Sequence, residues 1–184
     1  MSVPTKLMTY DELLELPDLG DHYELIDGVL IVPPASSWMH ADMIAALLRI
    51  LFAHVPARQP GKVLTAPVDV RLSSVRVLQP DIVYISPERR HLLTTNRAIS
   101  GAPDLVAEVL SPSNRRHDLD VKFAIYEQVG VREYWIVNLE RERLTMFVLH
   151  EGRFVERPHE GGIARSTVLP GLDVDISALF ANLF

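Results

Sequence analysis

The chain reads Pro103-Asp-Leu-Val-Ala-Glu108-Val-Leu-Ser-Pro112, a short apolar run that enters on Pro-Asp and ends on Ser-Pro. An earlier stretch, Pro80-Asp81-Ile-Val-Tyr-Ile-Ser-Pro87, repeats the pattern. Apolar runs of this length between turn residues are typical of buried β-strands. Glu108 stands inside the later strand, where a carboxylate is costly to bury without a partner or a metal ion. If the strands are neighbours, Asp81 and Glu108 could form a two-carboxylate metal site.

The spacing within the later strand separates its two acids. Asp104 lies four residues before Glu108, about 13 Å away at roughly 3.3 Å per residue, so these two cannot share one ion. Asp81 can, because it would lie on a different strand. Either aspartate could instead cap a turn after its proline. That second interpretation is favoured for Asp104 and stays open for Asp81.

The remaining pattern predicts a single domain over residues 1–184, of the α/β (α+β) class, with a mixed sheet flanked by helices. The strand–helix–strand order between 104 and 137 implies a parallel pair joined by a crossover. Predicted helices cover about 9–16, which begins with a capping box at Thr9, and 37–55, 117–129 and 176–184. Predicted strands cover 23–26, 29–32, 62–64, 68–72, 81–85, 104–110, 134–137, 144–149 and 153–155.

Composition excludes several classes of protein. The 184 residues contain no cysteine, which excludes disulfides and thiolate metal sites. The formal net charge of −6 argues against a general binder of polyanions. No apolar run approaches the roughly 18 residues that a membrane span needs, and no signal peptide is evident, so we expect a soluble, cytoplasmic protein.

The helix predicted after Glu108 carries a lysine in a notable position. Asp118, Lys122 and Tyr126 follow at i, i+4 and i+8 and share one face. One interpretation is a solvated Asp118–Lys122 pair. The other is that the helix begins just past Glu108 and directs Lys122 at the acidic site.

Two arginine pairs follow the two Ser-Pro ends. They are Arg89-Arg90 and Arg115-Arg116, each followed by a histidine. If the two strands are parallel neighbours, both loops leave the same edge of the sheet, where open α/β sheets bind ligands. The arginines could then hold phosphates. Arginine pairs in loops are also common solubility features, so both interpretations remain.

Five segments together resemble the Uma-type putative restriction endonuclease family of the PD-(D/E)XK nuclease superfamily, over about residues 8–155. The resemblance implies a restriction-endonuclease-like core and a phosphodiesterase site that depends on Mg²⁺ or Mn²⁺. The segments are Tyr23-Glu-Leu-Ile-Asp-Gly28, Ala66-Pro-Val-Asp-Val70, Gln79-Pro-Asp-Ile-Val83, Pro103-Asp-Leu-Val-Ala-Glu-Val-Leu-Ser-Pro-Ser113 and Gly130-Val-Arg-Glu-Tyr-Trp-Ile-Val137.

Carried over by position, Asp81 resembles the aspartate of the superfamily motif and Glu108 its second acid, so we expect both to be catalytic and to bind the metal. Since Mg²⁺ takes one or two carboxylates, the Val109 carbonyl could be a third ligand. The superfamily motif places lysine two residues after the second acid, where this chain has Leu110. Lys122 could replace that lysine from the helix. If it does not, the site would bind metal but catalyse poorly.

Two further residues have weaker assignments. Glu24 matches a recurrent acid of the family and could bind metal or water, or lie on the surface of the hairpin. His40 could contact the substrate phosphate, although a histidine in the first turn of a helix more often packs or caps.

We therefore expect a metal-dependent endonuclease that hydrolyses DNA. The main alternative is a catalytically degenerate module of the same fold that binds nucleic acid or another partner. A third is a metal-dependent hydrolase of a smaller phosphoester. Because duplex cleavage commonly needs two sites, we also expect a homodimer. The apolar end Leu179-Phe-Ala-Asn-Leu-Phe184 could form its interface or pack on its own core.

Overall fold

Two β-sheets form the frame of the protein in the residues that the computed structural model describes. These are 7–17, 20, 22–55, 61–93, 98–110, 117–181 and 183, with only the backbone described for 117–119. The larger sheet has six strands in the order β11-β10-β9-β8-β6-β3, and the second has five in the order β2-β1-β5-β4-β7. A two-stranded ribbon, β12-β13, completes the described strands.

The strands are β1 (Glu24–Ile26), β2 (Val29–Ile31), β3 (Lys62–Thr65), β4 (Asp69–Arg71), β5 (Val77–Leu78), β6 (Ile82–Ile85), β7 (Ala98–Ser100), β8 (Leu105–Leu110), β9 (Glu133–Asn138), β10 (Arg143–His150), β11 (Arg153–Arg157), β12 (Ile163–Arg165) and β13 (Asp173–Asp175). The α-helices are α1 (Tyr10–Leu13), α2 (Trp38–His54), α3 (Phe123–Val129) and α4 (Ile176–Ala181). A 3₁₀ segment covers Pro87–Leu92, and a π-helical turn, His117–Lys122, runs directly into α3.

Strand β8 lies inside the six-stranded sheet and separates two layers of the core. Its odd-numbered residues face α2 and the C-terminal helix, as the cluster of Ala107, Leu47 and Phe180 shows. Val106 and Leu110 face the other layer and cluster with Ile125 and Tyr126 of α3. This alternation follows from the period of two along a strand, and it places Glu108 on the α3 side.

Several predicted elements are confirmed with sharper bounds. Thr9 and Glu12 form a complete capping box, although α1 is only one turn long. Ser37 caps α2 by accepting from the backbone N–H of His40. The turn at Asp27-Gly28 joins β1 and β2, with φ of 50° and 77° at these residues. Two positive φ values are typical of a type I′ hairpin turn, which favours glycine.

The two Pro-Asp strands are neighbours, but they are not parallel. Strands β6 and β8 are antiparallel neighbours, whereas β8 and β9 form the predicted parallel pair. The chain therefore leaves β6 and β8 at opposite edges of the sheet. The parallel arrangement on which a single basic rim depended is therefore wrong.

The C-terminal segment packs on its own chain. Leu179, Phe180 and Leu183 are buried in the same core cluster as α2 and β8. These residues therefore give no support to a dimer interface, and dimerisation stays a prediction. Among the described helices, none has the length and hydrophobicity needed to cross a membrane.

Candidate active site

Asp81 and Glu108 face each other across two neighbouring strands. The antiparallel register pairs Ile82 with Ala107, and one further step places Asp81 opposite Glu108. Directly opposed residues of an antiparallel pair lie on the same face, with Cβ atoms about 4.5–5.5 Å apart. The backbone N–H of Val109 also donates to Oδ2 of Asp81 at 2.7 Å, which fixes the aspartate against β8.

Lys122 lies between two buried carboxylates. Its Nζ is 2.9 Å from Oε1 of Glu108 and 2.8 Å from Oε1 of Glu24. All three side chains are at least nine-tenths buried. The solvated helix-surface interpretation of Lys122 is therefore wrong, and so is the hairpin-surface interpretation of Glu24. The side chain of Asp118 lies outside the described residues.

The π-helical turn and α3 bring a second donor to Glu108. The hydroxyl of Tyr126 donates to the same Oε1 at 2.8 Å, and the ring is fully buried. Burial raises the pKa of Tyr126 well above its ordinary value, and the negative charge of Glu108 raises it further. The hydroxyl therefore stays protonated and remains a donor. Short π-helical segments recur at functional sites, where they change the direction of side chains.

A hydrogen-bonded network supports Glu24 from the five-stranded sheet. The backbone N–H of Gln79 donates to Oε1 of Glu24 at 3.3 Å, and its amide Nε2 donates to Asp69 at 2.9 Å. Asp69 also accepts from the hydroxyls of Tyr10 and Tyr23 at 2.7 and 2.8 Å. These contacts hold a buried carboxylate in place beside the site.

His40 approaches the site from α2. Its Nε2 lies 3.2 Å from Oδ2 of Asp81, and the residue is buried. Since Ser37 caps the backbone N–H of His40, the imidazole itself is not the cap. Whether His40 contacts a phosphate stays a prediction.

These side chains line one cleft of about 400 Å³. Its walls include Glu24, His40, Asp81, Glu108, Val109 and Lys122, together with Gln79 and the loop of residues 33–36. The donors are three carboxylates and a carbonyl, the hard oxygen ligands that Mg²⁺ and Mn²⁺ accept. The set also carries more negative than positive formal charge, which a divalent cation would offset.

The donor set fits an ion that needs few protein ligands. Within the described residues, no three histidine, cysteine, aspartate or glutamate side chains are arranged to hold a metal ion on their own. Mg²⁺ typically takes one or two carboxylates and keeps several waters. Asp81, Glu108 and the Val109 carbonyl meet that requirement.

Among the other candidate residues, Arg89, Arg90 and Asp104 are described and do not line the cleft. Arg89 donates to the carbonyls of Ala102 and Pro103, and Arg90 is exposed on the same 3₁₀ segment. Arg115 and Arg116 lie outside the described residues. Asp104 is fully buried and accepts from the Ser86 N–H at 2.7 Å and from Arg132 at 3.0 Å, so its role in the described structure is to bind neighbouring segments.

Sequence reasoning did not assign a site role to Tyr126, Gln79 or Asp69. Tyr126 carried a signal, since it shares a face with Lys122 at helical spacing. Gln79 precedes the first Pro-Asp pair, but only the tertiary structure reveals its contact with Glu24.

Comparisons with known proteins agree with this architecture. The model of the Uma2 family, described as "Putative restriction endonuclease", matches residues 10–177. An uncharacterised protein of Synechocystis sp., sll1609, is 28% identical over 139 residues, covering 73% of this chain and 76% of that protein. The fold is similar to a crystal structure described as a putative nuclease belonging to DUF820, from Anabaena variabilis. That match has a TM-score of 0.79 and 18% identity, and covers 96% of this chain and 99% of that one. It confirms the predicted fold class.

Proposed function

Because the chain belongs to the Uma2 family, whose description is "Putative restriction endonuclease", we propose that it is a metal-dependent endonuclease that hydrolyses phosphodiester bonds of DNA. One observation carries the proposal. Three acidic side chains distant in sequence, Glu24, Asp81 and Glu108, line one cleft with Lys122. Since burying so many charges costs free energy, their convergence indicates a chemical role.

The metal ligands in this proposal are Asp81, Glu108 and the Val109 carbonyl. Oδ2 of Asp81 accepts from the Val109 N–H and lies 3.2 Å from Nε2 of His40, so Oδ1 is the oxygen that would bind the ion. A bound Mg²⁺ or Mn²⁺ would polarise the phosphate and lower the pKa of a coordinated water.

Lys122 takes the place of the lysine that the motif expects at Leu110. Its ammonium lies 2.9 Å from Glu108, within reach of a water held by that carboxylate. Nζ would orient the attacking water by donating a hydrogen bond. It would also offset the negative charge that develops on the phosphoryl oxygens, an effect that typically changes kcat by about 10²–10³-fold.

Tyr126 and Glu24 are positioning residues in this account. Tyr126 donates to Oε1 of Glu108 and so favours one orientation of that carboxylate. Glu24 holds Nζ of Lys122 from the opposite side. Together they limit the conformations of a lysine side chain that would otherwise be flexible.

Plasmid cleavage in Mg²⁺ or Mn²⁺ tests the proposal. Wild-type protein should nick or cut the plasmid, whereas Asp81→Ala, Glu108→Ala and Lys122→Ala should lose at least about a hundredfold in rate. Matched controls at exposed positions, Lys62→Ala and Glu156→Gln, should keep wild-type activity. Equal cleavage by all preparations would point to a contaminating nuclease and contradict the proposal.

A catalytically degenerate module of the same fold is the second candidate. Leu110 replaces the expected lysine, and Lys122 is held by two carboxylates rather than one. If wild-type protein binds Mn²⁺ and cleaves no form of DNA, this candidate replaces the nuclease.

A further inference from the structure

Trp38 is exposed and lies in sequence between two segments that line the cleft. It is the first residue of α2, and 67% of its surface is accessible. Residues 33–36 before it and His40 and Ala41 after it all line the cleft. Tryptophan is among the more buried residue types on average, so a tryptophan exposed to this extent beside a site points to a contact with a ligand.

The part of the cleft lining that the structure describes offers little to a duplex backbone. Among its described residues, Lys122 is the single lysine or arginine, and its ammonium is held by Glu24 and Glu108. Specific duplex binders use interfaces that are strongly positive and make many phosphate contacts. The wall near Trp38 is instead apolar or weakly polar, with Pro33, Pro34 and Ala35.

We propose that Trp38 is a stacking platform for one unpaired nucleobase next to the scissile phosphate, so that the preferred substrate is single-stranded or locally unpaired DNA. This inference rests on the proposed function for the position of the phosphate. Stacking on an aromatic ring adds binding free energy for each base and tolerates any base, since every base has a π-face. Trp38 is well placed for it because its exposed ring can be covered by a base without disturbing the core.

The chain provides its own fluorescence control. Its two tryptophans are Trp38 and Trp135. Trp135 is fully buried and donates to Glu133. A change in tryptophan fluorescence on adding an oligonucleotide therefore reports on Trp38. The same titration of Trp38→Phe should show no such change, because only Trp135 then contributes.

A binding titration tests the inference. Wild-type protein in EDTA, and again in Ca²⁺, is titrated with a short oligothymidylate and with a blunt duplex of equal length. We expect quenching and tighter binding for the single strand. Trp38→Ala should weaken that binding about tenfold, which corresponds to roughly 1.4 kcal/mol of lost stacking. Phe52→Ala is the matched control, because Phe52 is also exposed on α2 but lies near the other end of the helix, away from the lining residues His40, Ala41 and Ile44.

The outcomes separate this inference from the proposed function. Equal oligothymidylate binding by wild type and Trp38→Ala, or equal binding of the duplex, would overturn the stacking site even if the protein cleaves DNA. If oligothymidylate quenches the fluorescence of wild type but not of Trp38→Ala, and wild type cleaves no DNA, the stacking site is supported and the proposed nuclease activity is refuted. A concentration-dependent increase in mass that only Trp38→Ala abolishes, with unchanged oligothymidylate binding, would assign Trp38 to self-association and overturn the inference.

Discussion

The Lys122 ammonium lies 2.8 Å from the Glu24 carboxylate, and this ion pair joins the two sheets of the protein. Glu24 belongs to β1 of the five-stranded sheet, whereas Lys122 precedes α3, which packs on β8 and β9. Since Lys122 also contacts Glu108, one buried ammonium holds together carboxylates from both sheets. The candidate site therefore also contributes to the packing of the two sheets.

We predict that Lys122→Met is strongly destabilising as well as inactive. It leaves Glu24 and Glu108 buried without their shared cation, and breaking a buried pair in this way typically costs about 3–5 kcal/mol. Adding Glu24→Gln should recover part of the loss, because one of the uncompensated charges is removed. Urea unfolding measures both variants. Lys62→Met, on an exposed position of β3, should stay within about 0.5 kcal/mol of wild type. Equal midpoints for the Lys122 and Lys62 variants would refute the prediction.

Substitutions of the two aspartates that follow proline, Asp81 and Asp104, should affect different properties, metal binding and stability respectively. Asp104 is fully buried and accepts from the Ser86 N–H and from Arg132, whereas Asp81 lines the cleft. Asp104→Asn should lower the free energy of unfolding by about 2 kcal/mol and leave Mn²⁺ affinity unchanged. Asp81→Asn should weaken Mn²⁺ binding at least tenfold. Calorimetric titration with Mn²⁺ and urea unfolding on the same preparations distinguish the two. Loss of Mn²⁺ binding in both variants would contradict the separate roles.

Glu127 should make stability depend on pH in the acidic range. The backbone N–H of Phe154 and the guanidinium of Arg153 donate to its carboxylate and lower its pKa below the ordinary 4.5. A carboxyl whose pKa is lower in the folded chain contributes stability above its unfolded pKa and loses it as the pH falls. Melting temperatures from about pH 6 to pH 3 should therefore fall more steeply for wild type than for Glu127→Gln. Parallel curves would show that this contact does not couple to folding.

The sequence predicts local structure and family better than long-range arrangement. Thr9, Asp27-Gly28 and Ser37 are local signals, because a cap or a tight turn is decided within a few residues. Membership of the family predicted from the five segments is confirmed by the match over residues 10–177. The sequence did not decide whether the two Pro-Asp strands run parallel, because a strand pattern indicates which face is buried and not the direction of the neighbouring strand. In the structure, β6 and β8 are antiparallel.

The other differences between the predicted and the observed structure also come from contacts that are distant in sequence or from very short strands. Strands β5 and β7 have only two and three residues and were not predicted, so the sheet that they complete with β1, β2 and β4 was not predicted either. The burial of Glu24 depends on Lys122, a partner from a distant part of the chain. Asp81, Glu108 and Lys122 could be selected from their positions in apolar strands and on a helix face, whereas Glu24 was selected from the resemblance to the family. Their support by Tyr126, Gln79 and Asp69 required the tertiary structure.

The most direct test of the central claim is a crystal structure of the protein soaked with Mn²⁺, with the ion located by its anomalous scattering. The account predicts one ion between Asp81 and Glu108, bonded directly to both carboxylates at distances close to the roughly 2.0–2.1 Å of Mg²⁺–oxygen bonds. Wild type should show this peak and Glu108→Gln should lose it. Two results would contradict the account. One is that the carboxylates stay more than about 8 Å apart at saturating Mn²⁺ with no anomalous peak between them, because two metal–oxygen bonds cannot span such a gap. The other is that the Mn²⁺ peak lies elsewhere in the protein.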